Sequence, residues 1–279
     1  SKGELAINTN MTVVQTGNLF VLSTPIGNLG DVTHRAIETL GNVSLIAAED
    51  TRRTKILLNR YQIQTPLSSY NSFNKIKKTR EFIERLKKGN DLALVSDAGT
   101  PGISDPHYHL VNAAIEEGIS IYSIPGPSAL LAALTVSGLP MDRFIFEGFL
   151  PRKKGRTTML ENLANEKRTI VIFESPNRIE KTLQDLYRFF GDRKVAITRE
   201  LTKMYEEVIR GNLEELSTLT RNWKGEITVV IAGADKKKRK SLVRFIFYTI
   251  RYNWRISSNH PRMGFHFNWN NINLWSKNF

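Results

Sequence analysis

The chain has 279 residues, 41% of them hydrophobic, which is enough for one large domain or two of ordinary size around a proper core. It has no cysteine, which excludes disulfides and thiolate metal sites and fits a reducing compartment. The formal charge of +13 suggests an acidic partner, but 30 of the 40 Lys and Arg and all 27 acidic residues precede position 236. The other basic residues stand in an acid-free tail, so the body is close to neutral.

No stretch approaches the roughly 18 apolar residues of a membrane span. The N-terminus lacks the basic-then-apolar order of a secretory signal. A cytoplasmic protein without a membrane partner is expected, with residues 1–16 as a flexible leader.

Residues 19–23 (LFVLS) read as a first strand, running into the tight loop Thr24-Pro25-Ile26-Gly27-Asn28-Leu29-Gly30-Asp31. Asp31 is placed to cap a helix over 32–40, which Gly41-Asn42 stops. A second strand over 44–48 ends in Glu49-Asp50-Thr51-Arg52-Arg53. A helix to about Tyr61, an extended piece near 67–70 and a basic helix over 75–88 follow. Leu92-Ala93-Leu94-Val95 is short and apolar enough to be a buried parallel strand. It feeds VSDAGTPGISDP, residues 95–106, a loop more polar than a turn requires. In an open α/β sheet such a loop lies at the carboxyl end of its strand, where ligands bind. A helix over 107–117 and a strand over 120–124 come next. The loop Pro125-Gly126-Pro127-Ser128-Ala129 then opens a small, apolar helix over 129–137. The alternation predicts a mostly parallel sheet covered on both faces. Gly138-Leu139-Pro140 divides a domain over 17–138 from a second over 139–235.

The second half restarts with FIFEGF (144–149) and the basic turn Pro151-Arg152-Lys153-Lys154-Gly155-Arg156. A helix to about Ala164 and a strand over 169–173 lead to Glu174-Ser175-Pro176-Asn177-Arg178. Then come a helix over 178–190, a strand over 194–198 and Arg199-Glu200-Leu201-Thr202-Lys203. Residues 204–210 read as a strand, 212–219 as a short helix, and 227–232, entered through Gly225-Glu226, as the closing strand. The tail over 236–279 holds three of the four Trp and mixes Asn, Ile, Phe and Trp without period. It reads either as a basic, aromatic nucleic-acid arm or as a non-native or unpacked end.

Three strand-to-helix loops, at 25–28, 96–101 and 125–129, place Gly and Pro directly after a strand. Glycine lets backbone approach a ligand, and N–H groups at a helix start hold polar or anionic groups. Three such loops in one half suggest a nucleotide-like small molecule. None is a phosphate loop or a G-x-G-x-x-G turn. Carboxylates gather at strand ends: Glu49, Asp50, Asp97, Asp105, Glu174 and Glu200. Each can bind a ribose or accept a proton, or can cap a helix or pair with Arg. The five His lack metal-ligand spacing, so no metal is expected, and hydrolase nucleophile motifs are absent. Arg152 to Arg156, with Arg199 and Lys203, sit where phosphate contact and simple solubility are both open.

The segments STPIGNLGD, AEDTR, SDAGTPGISDP, IPGPSA, FEGFLP, ESPNRI, RELTK and GEITVVI fall in order across residues 23–231. Together they resemble the ribosomal RNA small-subunit methyltransferase I family, the 16S rRNA (cytidine-2′-O)-methyltransferases, within the tetrapyrrole-methylase-like enzymes. The resemblance implies a class III methyltransferase fold: two α/β domains with a cleft for S-adenosylmethionine (SAM) between them, usually in a homodimer. It implies methylation of a cytidine 2′-hydroxyl in 16S rRNA of the small subunit. By motif, Pro25, Gly27, Asp97, Ala98, Gly99, Thr100, Pro101, Gly102 and Ile103 line the cofactor site. So do Pro125, Gly126, Pro127, Ser128, Ala129, Gly225, Glu226, Ile227 and Thr228. Arg52, Arg53, Arg152, Lys153, Lys154, Arg156, Arg199 and Lys203 face RNA. Asp97 or Glu49 is the candidate proton acceptor. A tetrapyrrole or protein acceptor, and a non-catalytic RNA-binding protein, are the rival readings. Two departures stand out. The family's Asp-Pro-Gly-Tyr reads here Asp105-Pro106-His107-Tyr108, and the tail from Lys236 is unlike the family's C-terminal region. If that glycine requires positive φ, His107 strains the helix start.

Overall fold

A computed structural model describes residues 15–102 and 107–235. The first half is built from β1 (Leu19–Leu22), α1 (His34–Asn42), β2 (Leu45–Ala48), α2 (Thr51–Arg60) and β3 (Leu67–Ser69). It continues with α3 (Lys75–Lys87), β4 (Leu92–Val95), α4 (Tyr108–Glu116), β5 (Ile121–Ile124) and α5 (Ala129–Ser137). Its five strands lie in the order β3-β2-β4-β1-β5, every pair parallel. Strands β2 and β4 are continuous apolar runs because both faces of the sheet are covered. Alternate residues serve opposite faces. Leu45, Ala47, Leu92 and Leu94 pack with Phe82, Leu86 and Leu110, while Ile46, Ala48, Ala93 and Val95 pack with Leu40, Leu57 and Leu58.

The second half comprises β6 (Phe144–Phe149), α6 (Arg156–Leu163), β7 (Thr169–Glu174), α7 (Ile179–Phe190) and β8 (Lys194–Arg199). It ends with β9 (Glu207–Asn212), α8 (Leu213–Leu216) and β10 (Ile227–Ile231). Its sheet runs β6-β7-β10-β8-β9 and is mixed: β6 and β7 are parallel, and the other pairs are antiparallel. The last strand thus inserts into the middle. Ile179, Leu183, Leu186 and Phe190 form the buried stripe of α7 and seal one face together with α6 residues. The other face is sealed by α5, whose Ala133 and Leu134 pack on Val171, Ala196 and Val230. A helix that precedes the 138–140 turn therefore completes the core that follows it.

Several local expectations shift. The helix α1 begins two residues later than expected and is capped by Thr33, whose hydroxyl accepts from the Ala36 N–H at 3.1 Å. Asp31 instead ends a 3₁₀ turn, Leu29–Asp31, and Gly41-Asn42 lie inside the helix. Residues 204–206 are a turn with Met204 and Tyr205 exposed, so the strand starts at Glu207. The helix expected over 212–219 is a single turn. His107 has φ −61° and ψ −24°, ordinary right-handed helical backbone, so the position does not require glycine and carries no strain. Its ring is buried, with Nε2 3.1 Å from the Val95 carbonyl oxygen and Tyr70 6.1 Å away between ring centroids. Ile103, Asp105, Pro106, most of the expected leader (residues 1–14) and the tail over 236–279 lie outside the described residues.

Candidate active site

The three Gly- and Pro-bearing loops are tied to one another at the carboxyl ends of β1, β4 and β5. Thr24 and Gly99 exchange both backbone hydrogen bonds at 3.0 Å. The Ser23 and Thr100 hydroxyls lie 2.9 Å apart, and Thr100 donates to the Pro127 carbonyl at 3.2 Å. Gly99 has φ +78°, and a Cβ there would press on Ile26 and the Pro127 carbonyl. Much of the polar character that marks these loops in sequence therefore holds loop to loop.

In front of them lies a cleft of about 390 Å³ bounded by both halves. From the first half, Asp97, Ala98, Gly99, Thr100, Ser128 and Ala129 line it, as does Glu49. Gly225, Glu226, Ile227 and Thr228 line it from the second. Pro25, Gly27, Pro101, Gly102, Pro125, Gly126 and Pro127 do not. Pro25 and Pro101 are buried behind the wall, and Gly27 lies under the Lys203 side chain. Ile26 and Ser96, from the 25–28 and 96–101 loops, line the cleft as well, and Phe149, Phe173, Ser175 and Pro176 line it without having been expected. Glu174, noted in sequence only as a strand-end carboxylate, lines it too. The signal available for several of them was position alone, since Glu174 ends β7 and Ser175 and Pro176 directly follow it.

Four carboxylates, Glu49, Asp97, Glu174 and Glu226, line the cleft against one cation, Arg53. Asp97 is oriented by the Asp50 N–H, which donates to Oδ1 at 2.8 Å, while Oδ2 lies 3.8 Å from Arg53. Asp50 in turn caps α2 through the Arg52 N–H at 2.9 Å. The Arg52 side chain, and then its N–H, hold the Asp50 carboxyl down to about 2. Buried Glu174 accepts from the Ser175 N–H at 2.7 Å and from the Thr182 hydroxyl at 2.7 Å.

The RELTK segment closes one edge as a clasp. Glu200 and Thr202 both take positive φ, 51° and 69°, which non-glycine residues adopt rarely. The Thr202 hydroxyl accepts from the Asn28 N–H at 3.1 Å, so the second half grips the first loop. Lys203 Nζ donates to Glu200 at 2.8 Å and to Glu226 at 2.9 Å. Burial pushes Glu200 up, but hydrogen bonds from Lys203 and the Glu226 N–H outweigh it and hold the carboxyl below its usual range. Burial likewise works against the Lys203 charge and is outweighed by the same two carboxylates, which raise it. Gly225 has φ +83°, and a Cβ there would collide with the Glu200 carboxylate.

The expected RNA-facing cations divide sharply. Arg156 is 8% exposed and committed inward, to Asp185 at 2.9 Å, the Thr182 hydroxyl at 2.9 Å and the Pro151 carbonyl at 3.1 Å. Arg199 pairs with Glu207 at 3.0 Å, and Lys203 belongs to the clasp. None of these three is an outward-facing charge. Arg52 is exposed but bonded to Asp50. Arg53 is exposed at the cleft mouth, and Arg152, Lys153 and Lys154 are exposed on their turn. Among the described residues no group of three His, Asp or Glu is arranged for a metal, and no helix is long and apolar enough to cross a membrane.

This architecture and these motifs have known counterparts. The family model of the tetrapyrrole (corrin/porphyrin) methylases matches residues 18–217. The ribosomal RNA small subunit methyltransferase I of Thermotoga maritima is 51% identical over 221 residues, covering 78% of this chain and 100% of that one. Its namesake from Synechocystis sp. is 51% identical over 229 residues, covering 81% and 82%. Two crystal structures share the fold at 17% identity. Uroporphyrin-III-C-methyltransferase from Thermus thermophilus has a TM-score of 0.55 over 77% of this chain and 94% of that one. Diphthine synthase has 0.60 over 77% and 89%. The chain belongs to the tetrapyrrole methylase family, and within it to the ribosomal RNA small subunit methyltransferase I proteins.

Proposed function

We propose that the protein transfers a methyl group from SAM to the 2′-hydroxyl of a cytidine in 16S rRNA of the small ribosomal subunit. The observation that carries this is the carboxylate-bearing cleft at the strand ends, in a chain half identical to proteins named ribosomal RNA small subunit methyltransferase I. The residues present fit the cofactor. Glu174 is paired with Arg178, Glu226 with Lys203, and Asp97 lies 3.8 Å from Arg53. The carboxylates lining the cleft therefore act chiefly as acceptors, for which SAM carries ammonium, amine and ribose hydroxyl donors. The Gly99 backbone and the Gly225–Thr228 edge supply close, largely main-chain walls.

Bound SAM supplies an electrophilic methyl group. The chain's own work is to align the acceptor hydroxyl and to take its proton. Asp97 suits the second task because one oxygen is fixed by the Asp50 N–H while Oδ2 remains for the acceptor. Glu49, on the same wall, is the alternative acceptor. Arg53, Arg152, Lys153 and Lys154 are the exposed cations available to RNA.

A tetrapyrrole acceptor has weaker support, because the relatives named for it share only the fold at 17% identity. The reading as an inactive RNA-binding module drew on His107 and on the altered tail; the His107 backbone is unstrained, and the tail lies outside the described residues. Assembly as a homodimer in the cytoplasm completes the proposal. Helices α3 and α4 leave Ile76, Tyr108 and Ile115 exposed as candidate dimer contacts. The test is SAM-dependent methylation of small subunits that lack the modification, followed by mapping of the product. A single 2′-O-methylcytidine is expected. Methyl on a base, on a ribosomal protein or nowhere overturns the reading.

A further inference from the structure

A second cavity, about 360 Å³, adjoins the cleft between the 151–155 turn and the start of α7, and Ser175 lines both. Its chemistry is the reverse of the cleft's. Arg152, Arg156, Arg178 and Lys181 line it, and among the described residues no carboxylate does. Two of these cations are neutralised from outside the cavity. Arg156 is bound to Asp185, and Arg178 lies 3.4 Å from Glu174 while donating to the Leu150 carbonyl at 2.6 Å. They are fixed walls. Arg152 and Lys181 are exposed and make no ion pair among the described residues, so their charge is directed at whatever enters. The Asn177 amide and Ser175 hydroxyl add neutral donors.

We infer that this pocket binds a backbone phosphate of the RNA next to the nucleotide being methylated, with Arg152 and Lys181 as its charged contacts. The inference rests on the proposed RNA methylation and assigns a substrate subsite to it. A guanidinium and an ammonium with hydroxyl and amide donors match a phosphodiester. The cleft lining offers a phosphate one cation, Arg53, beside four carboxylates. The shared Ser175 wall means that one strand can place its phosphate here while the adjoining ribose enters the cleft. Phosphate contacts of this kind set register rather than sequence. Arg156, although on the same turn, contributes by holding the turn to α7.

The test measures methylation of small subunits and their equilibrium binding across a salt series, for wild type, Arg152→Ala, Lys181→Ala and Arg152→Lys. Both alanine variants are expected to raise KM and the subunit Kd by roughly tenfold each. They should flatten the slope of log Kd against log salt by about 0.7 each, the single-strand value for one phosphate contact. The charge-retaining Arg152→Lys should recover much of that slope. SAM affinity by calorimetry and kcat should stay at wild-type values. Alanine variants with wild-type KM, Kd and salt slope, beside an active wild type, overturn the pocket and leave the proposed function standing. Wild-type protein that neither binds nor methylates subunits defeats both.

Discussion

The cleft and the cavity beside it share Ser175 but differ in the groups that line them. The cleft has four carboxylates and Arg53, and the cavity four cations, of which Arg152 and Lys181 make no ion pair among the described residues. The difference is made by which partners lie outside each wall. Glu174 lines the cleft while its Arg178 neighbour lines the cavity, so one ion pair contributes a charge of each sign to the two spaces. On the proposed function, the cleft takes the methyl donor and the cavity the phosphate of the acceptor strand, in adjacent but separate places. Such sorting orients the two reactants before chemistry begins.

The largest expected effect lies on the cleft side. Asp97→Asn keeps the shape but removes the proposed proton acceptor, so kcat on small subunits should fall about 10²-fold or more. Single-turnover rates check this, and an unchanged kcat would transfer the role to Glu49. On the cavity side, Arg156→Ala should cost about 3 kcal/mol of stability in denaturant titration, because Asp185 and Thr182 lose a buried partner. Arg152→Ala, exposed on the same turn, should change stability by less than about 0.5 kcal/mol. Equal losses would erase the distinction between wall and ligand contact. Gly99→Ala forces a side chain into left-handed backbone against Ile26 and should cost about 1 kcal/mol or more, with weaker SAM binding by calorimetry.

The smallest effect is a matter of pH. Arg52 holds Asp50 down to about 2, and Arg168 does the same for Glu166, in each case first through a side-chain hydrogen bond. Both folded values lie below the ordinary 3.8 and 4.5. The stability they contribute is therefore complete above the ordinary values and is lost as pH falls through about 2. Carboxyl NMR titration should place both midpoints near 2, and midpoints near 4 would contradict these pairings.

The elements of the first half were legible in the sequence because strand, loop and helix are punctuated by Gly and Pro and β1, β2 and β4 are unbroken apolar runs. The insertion of β10 between β7 and β8 was not, since strand order depends on pairing between distant segments. Nor was the allegiance of α5, whose ALLAALTVS sequence has no charged face to say which sheet it covers. In the site, the carboxylates and cleft loops were visible as residue types at strand ends. The roles of Arg156, Arg199 and Lys203 were not, because a sequence shows a charge without its partner. Asp185, Glu207 and Glu226 supply those partners from other elements, and Glu200 from within the same turn as Lys203. The left-handed backbone at Glu200 and Thr202 was equally invisible, being imposed by the clasp around it.

The most direct measurement is the dependence of methyl-transfer rate on small-subunit concentration, taken side by side for wild type, Asp97→Asn and Arg152→Ala at saturating SAM. An acidic cleft that performs the chemistry and a basic cavity that holds the RNA predict a split: kcat falls with little change in KM for the first variant, and KM rises with kcat retained for the second. Both variants altering the same constant, or wild-type kinetics from both, would contradict the account.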